Sequence, residues 1–143
     1  LKKIKKLKLI TLLLISFSAN AKDYGNVTVT EISSIYDADT FRVTIEGWPD
    51  IIGKRAPVRV LGVDAPELRT KCESEKIAAR KAKKHTVGLL RSAKVVELRN
   101  IKRGKYFRIL ADVYIDGQSL AESLIYYNLA RKYDGGKRLG WCD

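Results

Sequence analysis

Residues 58–67 read Val58-Arg59-Val60-Leu61-Gly62-Val63-Asp64-Ala65-Pro66-Glu67. The apolar run from Val58 to Val63 is expected to form a strand. Asp64-Ala65-Pro66 ends it, because proline lacks an amide hydrogen and stiffens the turn. Beyond this turn the hydrophobic period changes. From Glu73 to Ser92 there is no proline and one glycine, Gly88. Ala78, Ala82, Thr86, Leu89 and Ala93 recur at steps of three and four, with Lys and Arg on the other face. That pattern predicts an amphipathic helix, and Glu73 and Glu75 suit the positive end of its dipole.

The same reading extends outward in both directions. Val27–Ile32 and Thr40–Ile45 alternate with period two and read as strands, with a Gly-, Pro- and cation-rich loop from Gly47 to Pro57. After the helix, Val95–Ile101 and Tyr106–Ile115 read as strands joined by Lys102-Arg103-Gly104-Lys105. Asp116-Gly117 forms a turn, and Ser119–Asn128 reads as a shorter helix with Ser119 as N-cap and Glu122 three residues on. Three strands, a helix, two strands and a helix fit an α+β, mainly β architecture, an OB-type five-stranded barrel. A generic α+β sandwich fits the same periods.

The chain has 143 residues, enough for one domain, and carries 28 Lys and Arg against 16 Asp and Glu. Residues 1–21 hold Lys2, Lys3, Lys5, Lys6 and Lys8, then the apolar run Leu9–Phe17, then Ser18-Ala19-Asn20-Ala21. This is the layout of a signal peptide cleaved after Ala21. The apolar run is well short of the ~20 residues that span a bilayer. Residues 22–143 would then form a single domain, secreted or periplasmic and without stable membrane association. They keep 23 basic and 16 acidic side chains, a net charge of +7, which favours polyanionic partners. In an exported protein the two cysteines, Cys72 and Cys142, are expected to pair and to tie the glycine-rich tail beside the acidic turn. Two Cys and one His cannot supply a structural zinc site.

Four local features bear on chemistry. Asp37 and Asp39 are two apart and, in extended chain, share a face. Arg59 interrupts a strand of Val and Leu. Asp64 and Glu67 flank a proline turn and offer oxygen ligands for a hard cation such as Ca²⁺ or Mg²⁺. Lys105-Tyr106-Phe107-Arg108 mixes two cations with two rings, which suits phosphate contact and base stacking. His85, the sole histidine, reads as a boundary packing residue, and Trp48 and Trp141 as packing or loop anchors.

In order and spacing, Asp37-x-Asp39-Thr40, Val58-Arg59-Val60-x-x-Val63-Asp64-x-Pro66-Glu67 and Lys105-Tyr106-x-Arg108 resemble the staphylococcal nuclease (thermonuclease) family, from about Val27 to Ala130. The resemblance implies an OB-type barrel and a Ca²⁺-dependent phosphodiesterase, an endonuclease acting on DNA and RNA through one Ca²⁺ ion and leaving 3′-phosphate ends. It implies Asp39, Asp64 and the Ala65 carbonyl as metal ligands. Glu67 would act on the attacking water, Arg59 and Arg108 would clamp the phosphate, and Lys105 and Tyr106 would contact the nucleotide beyond. A monomer is expected. The alternative is a non-catalytic nucleic-acid-binding OB module, but such a module has no use for Asp39, Arg59, Asp64, Glu67 and Arg108 together.

Overall fold

A computed structural model describes residues 23–142. The leader read over residues 1–21, and the cleavage point before Lys22, lie outside the described residues. Strands β1 (Val27–Asp37), β2 (Thr40–Ile45) and β3 (Ala56–Val60) form a meander, with a single helical turn, α1 (Asp50–Gly53), between β2 and β3. A two-residue strand, β4 (Val63–Asp64), precedes α2 (Glu73–Ser92). Then follow β5 (Val96–Arg103), β6 (Ile109–Ile115), a short β7 (Gln118–Ser119), α3 (Leu120–Tyr126) and β8 (Arg131–Lys132). The sheet order is β3-β2-β1-β5-β6-β7. A parallel pairing of β3 with β6, through Val58↔Ile109, Arg59↔Leu110 and Val60↔Ala111, closes five of these strands into a barrel. The OB-type reading is thereby selected over an open sandwich.

Closure needs a strongly bent strand. The long β1 supplies the bend, with register shifts against β2 after Val29, Ile32 and Ile35. Alternation along β2, β3 and β6 sends Phe41, Val43, Val58, Val60, Ala111 and Val113 into the barrel. Helix α2 packs across the barrel through Ala79, Ala82, Thr86 and Leu90. The Thr86 hydroxyl donates to the Ala38 carbonyl at 2.8 Å, so the helix grips the β1–β2 turn one residue from Asp39. Ser119 caps α3, accepting from the Glu122 amide at 3.2 Å.

Three boundaries differ from the sequence reading. The third strand does not run to Val63: the chain turns at Leu61-Gly62, with Gly62 at φ +81°, and Val63–Asp64 pairs separately with β8. The strand expected from Tyr106 starts at Ile109, because Lys105–Phe107 forms a 3₁₀ turn with Tyr106 and Phe107 both at positive φ. The buried stripe of α2 is rotated by one residue at two positions, with Ala79 and Leu90 in the core instead of Ala78 and Leu89.

Candidate active site

The β1–β2 turn, the outer face of β3 and the chain from β4 to Pro66 meet at one rim of the barrel. Asp39 and Asp64 are both buried there, 1% and 3% exposed. Asp39 sits in the tight turn, and its carbonyl accepts from the Val60 amide at 2.9 Å, which ties the turn to the end of β3. Its Oδ2 accepts from the Ala65 amide at 2.9 Å and its Oδ1 from the Thr40 hydroxyl at 3.0 Å. Arg59 lies across β2–β3 opposite Thr40. One of its terminal nitrogens reaches both acids, 3.1 Å from Asp39 Oδ2 and 3.1 Å from Asp64 Oδ1.

Two buried carboxylates around one guanidinium leave local negative charge in excess. Burial pushes the Asp39 carboxyl up from 3.8. Arg59, the Ala65 amide and the Thr40 hydroxyl pull the other way, and the Asp64 charge adds to the rise. The excess is met from the C-terminal tail. Arg138 donates from Nε to Asp64 Oδ1 at 2.7 Å and from Nη1 to Glu67 Oε1 at 2.7 Å. Partial burial works against its charge, but the hydrogen bonds to Glu67 and Asp64 outweigh that cost and raise its pKa above the ordinary arginine value. Trp141 donates its indole N–H to Asp64 Oδ2 at 3.3 Å, while its ring lies 3.8 Å from the Arg131 guanidinium. The tail is anchored by a disulfide between Cys72 and Cys142, with Cα atoms 5.9 Å apart, and by the Tyr133 amide on the Gly62 carbonyl at 3.0 Å.

The structure thus gathers Asp39, Arg59, Asp64, Ala65 and Glu67 at one rim. Asp37 does not share a cation position with Asp39: its Oδ1 accepts from the Leu68 amide at 3.1 Å, so it shapes the acidic loop. Among the described residues, Arg108 makes no hydrogen bond or ion pair with these acids. It lies just before Ile109, the partner of Val58, and two residues before Leu110, the partner of Arg59. Lys105 and Tyr106 stand in solvent on the 3₁₀ turn, Tyr106 at 92% exposed. His85 contacts α3, not the carboxylates. Its Nε2 lies 2.9 Å from the Ser123 hydroxyl and its ring packs near Tyr127, and burial lowers its pKa from 6.5.

Arg138 and Trp141 are the site residues that the sequence reading missed. The available signal was Lys137 and Arg138 within a few residues of Cys142, whose partner Cys72 follows the acidic turn. The donor set itself fits a hard divalent cation, being carboxylate oxygens with no imidazole or thiolate. The Arg138 guanidinium, held against two of these acids, stands in for positive charge there.

A closed five-stranded barrel with buried acids and guanidinium groups at its rim defines an OB-type domain. The family model described as "Staphylococcal nuclease homologue" matches residues 57–138, more than half of the chain, and the protein belongs to that family. It is similar to "Endonuclease YncB" of Bacillus subtilis (strain 168), 35% identical over 116 residues, which are 80% of this chain and 51% of the relative. It is also similar to "SPbeta prophage-derived endonuclease YokF" of the same strain, 36% identical over 97 residues, 66% of this chain and 31% of the relative. The chain spans about half the length of the first relative and about a third of the second.

Proposed function

We propose that this chain is an exported, divalent-cation-dependent endonuclease that hydrolyses phosphodiester bonds of DNA and RNA. The observation that carries this reading is the pair of buried carboxylates, Asp39 and Asp64, gathered around Arg59 with Glu67 three residues beyond. Asp39, Asp64 and the Ala65 carbonyl would hold one ion, Ca²⁺ by family resemblance. When bound, the ion supplies positive charge beside the phosphate oxygens.

The side chains divide the remaining work. Arg59 binds the equatorial oxygens with its planar fork, and Arg108 serves as the second guanidinium. Glu67 accepts or orients the proton of the attacking water. The water oxygen bonds to phosphorus, the bond from phosphorus to the 5′ oxygen breaks, and a proton passes to that leaving oxygen. A 3′-phosphate end remains. Arg138 leaves Asp64 and Glu67 as cation and phosphate arrive. Action outside the cytosol is read from the leader pattern and agrees with the disulfide. Among the described residues no helix is long and apolar enough to cross a membrane. The protein is read as a monomer.

Purified protein is expected to cleave DNA and RNA with Ca²⁺ and to stop in chelator. Glu67→Gln is expected to lose at least about a hundredfold in turnover with oligonucleotide binding retained. Binding without cleavage in the wild type would establish the non-catalytic module instead, and unchanged turnover in Glu67→Gln would misplace the base.

Asp39 gives a pH signature. Its folded pKa is raised, so its favourable contribution to stability is present below about 3.8 and is lost as pH rises through the folded value. Cation binding runs the opposite way, because the ligand must be ionised. Ca²⁺ affinity measured by calorimetry is expected to fall on acidification, with its midpoint above 3.8. A midpoint at or below about 3.8 would contradict the burial argument.

A further inference from the structure

Arg138 stands outside the barrel, yet its ion pairs go to two of the acids at the rim, Asp64 and Glu67. The tail that carries it is pinned on both sides. Ahead of it, the Tyr133 amide donates to the Gly62 carbonyl at 3.0 Å, and the Tyr133 hydroxyl to the Gly136 carbonyl at 2.8 Å. Behind it, the Gly140 carbonyl accepts from Arg131 at 2.7 Å, Trp141 donates to Asp64, and Cys142 is bonded to Cys72. Only Leu139, Gly140 and Trp141 separate Arg138 from the covalent anchor.

These anchors decide what the guanidinium can do when it gives up its acids. A strap that only blocks a site must come away, and an incoming substrate cannot withdraw a disulfide. Arg138 can therefore turn about its own flexible side chain but cannot leave the rim. Charge sets the direction in which it turns. Asp39, Asp64 and Glu67 carry three negative charges against two guanidinium groups, Arg59 and Arg138. A divalent ion among these acids, together with Arg59, balances all three, and Arg138 becomes the surplus cation beside it. A phosphodiester brings one negative charge to the same place, and a guanidinium fork matches its two free oxygens.

We propose that Arg138 is a third phosphate-binding arginine, which holds Asp64 and Glu67 in the resting site and passes to the scissile phosphate once a divalent ion replaces it on these acids. This rests on the nuclease reading above, and it adds a catalytic residue from outside the barrel. The exchange relieves repulsion between the acids before the ion arrives, and it frees Glu67 for water once the phosphate is in place. Arg138 weakens ion binding in the empty site and strengthens phosphate binding in the loaded one, so its two effects have opposite signs. A plain structural strap moves neither, and a plain block opposes both.

The test uses the full, disulfide-bonded protein with Arg138→Ala and Arg138→Lys. Calorimetry reads Ca²⁺ binding without nucleotide. With Ca²⁺ saturating, it reads binding of thymidine 3′-phosphate, a product end that has no bond left to cut. Turnover is read on a dinucleotide. Arg138→Ala is expected to bind Ca²⁺ about five- to tenfold more tightly. It is expected to bind the mononucleotide about tenfold more weakly, and to lose about a hundredfold in kcat. Arg138→Lys keeps a charge but loses the fork, so it should hold Ca²⁺ affinity near the wild-type value and recover little of the kcat. The Arg138 side chain is 41% exposed, so both variants should fold, which thermal melting checks. Where alanine destabilises the protein, the lysine variant carries the test.

Wild-type Ca²⁺ affinity, mononucleotide affinity and kcat in Arg138→Ala would overturn the proposal and leave a structural strap. A rise in kcat, the mark of a block, would overturn it as well. Tighter Ca²⁺ binding with nucleotide affinity and kcat unchanged would reduce Arg138 to a resting counter-ion and refute the handover. Full kcat in Arg138→Lys would refute the fork on the phosphate. A wild type that cleaves nothing, yet binds the mononucleotide with Ca²⁺ and loses that affinity in Arg138→Ala, would refute the nuclease reading and leave the handover standing.

Discussion

Arg59→Ala is expected to lower turnover by about a thousandfold and to destabilise the fold in the same stroke. On the proposed reading the rate loss follows from removing a planar charged donor that would meet oxygens gaining charge in the transition state, an effect of ~10²–10³ or more per donor. The stability loss follows from the partners left behind. Asp39 is 1% exposed and has no other cation against it, whereas Asp64 keeps Arg138. Breaking a buried pair on one side costs about 3–5 kcal/mol. Arg59→Lys separates the two effects. It restores positive charge beside Asp39 but loses the fork, so it should recover most of the stability and little of the rate. Urea unfolding and single-turnover cleavage measure the two quantities. Wild-type turnover in the folded fraction of Arg59→Ala would show that the phosphate binds elsewhere.

Cys72→Ala/Cys142→Ala is expected to lower thermal stability on the order of 15 °C. The bond closes a loop of 70 residues, and the chain-entropy model gives about 4 kcal/mol for a loop of that length. A domain of this size loses roughly 4 °C per kcal/mol. The variant should also bind Ca²⁺ more tightly, because Arg138 is then held against Asp64 only by the weaker anchors of the tail. Differential scanning calorimetry and Ca²⁺ titration read the two effects. A change below about 1 °C would show that the β8 pairing and the Tyr133 amide hold the tail unaided.

What was legible in the sequence was what short-range chemistry decides. Helix α2 falls on Glu73–Ser92 as read, because period, acidic first turn and bounding residues all lie within one segment. Its buried face was read one residue off at two positions, since a helix rich in alanine carries apolar atoms on more than one side. The break at Leu61-Gly62 was hidden because Val63 continues the alternation, although Gly62 takes up the positive φ that the turn requires. The 3₁₀ turn at Tyr106 and Phe107 had no local marker, since aromatic residues seldom occupy left-handed backbone. The acids and Arg59 were legible as a set because they fall within residues 39–67 and adjacent strands carry them. Arg138 and Trp141 reach Asp64 across more than seventy residues, and no period in the tail encodes that contact.

The parallel seam between β3 and β6 has a consequence for the order of assembly. It joins residues about fifty apart, whereas β1, β2 and β3 pair across short turns. Loop-closure entropy favours the meander first and the seam later. Asp39, Arg59 and Asp64 all belong to the meander and the few residues after it. Arg42 and Arg55 come from one side of the seam and Arg103 and Arg108 from the other. A nascent chain therefore gathers its buried acids around Arg59 before the two sides of the seam meet.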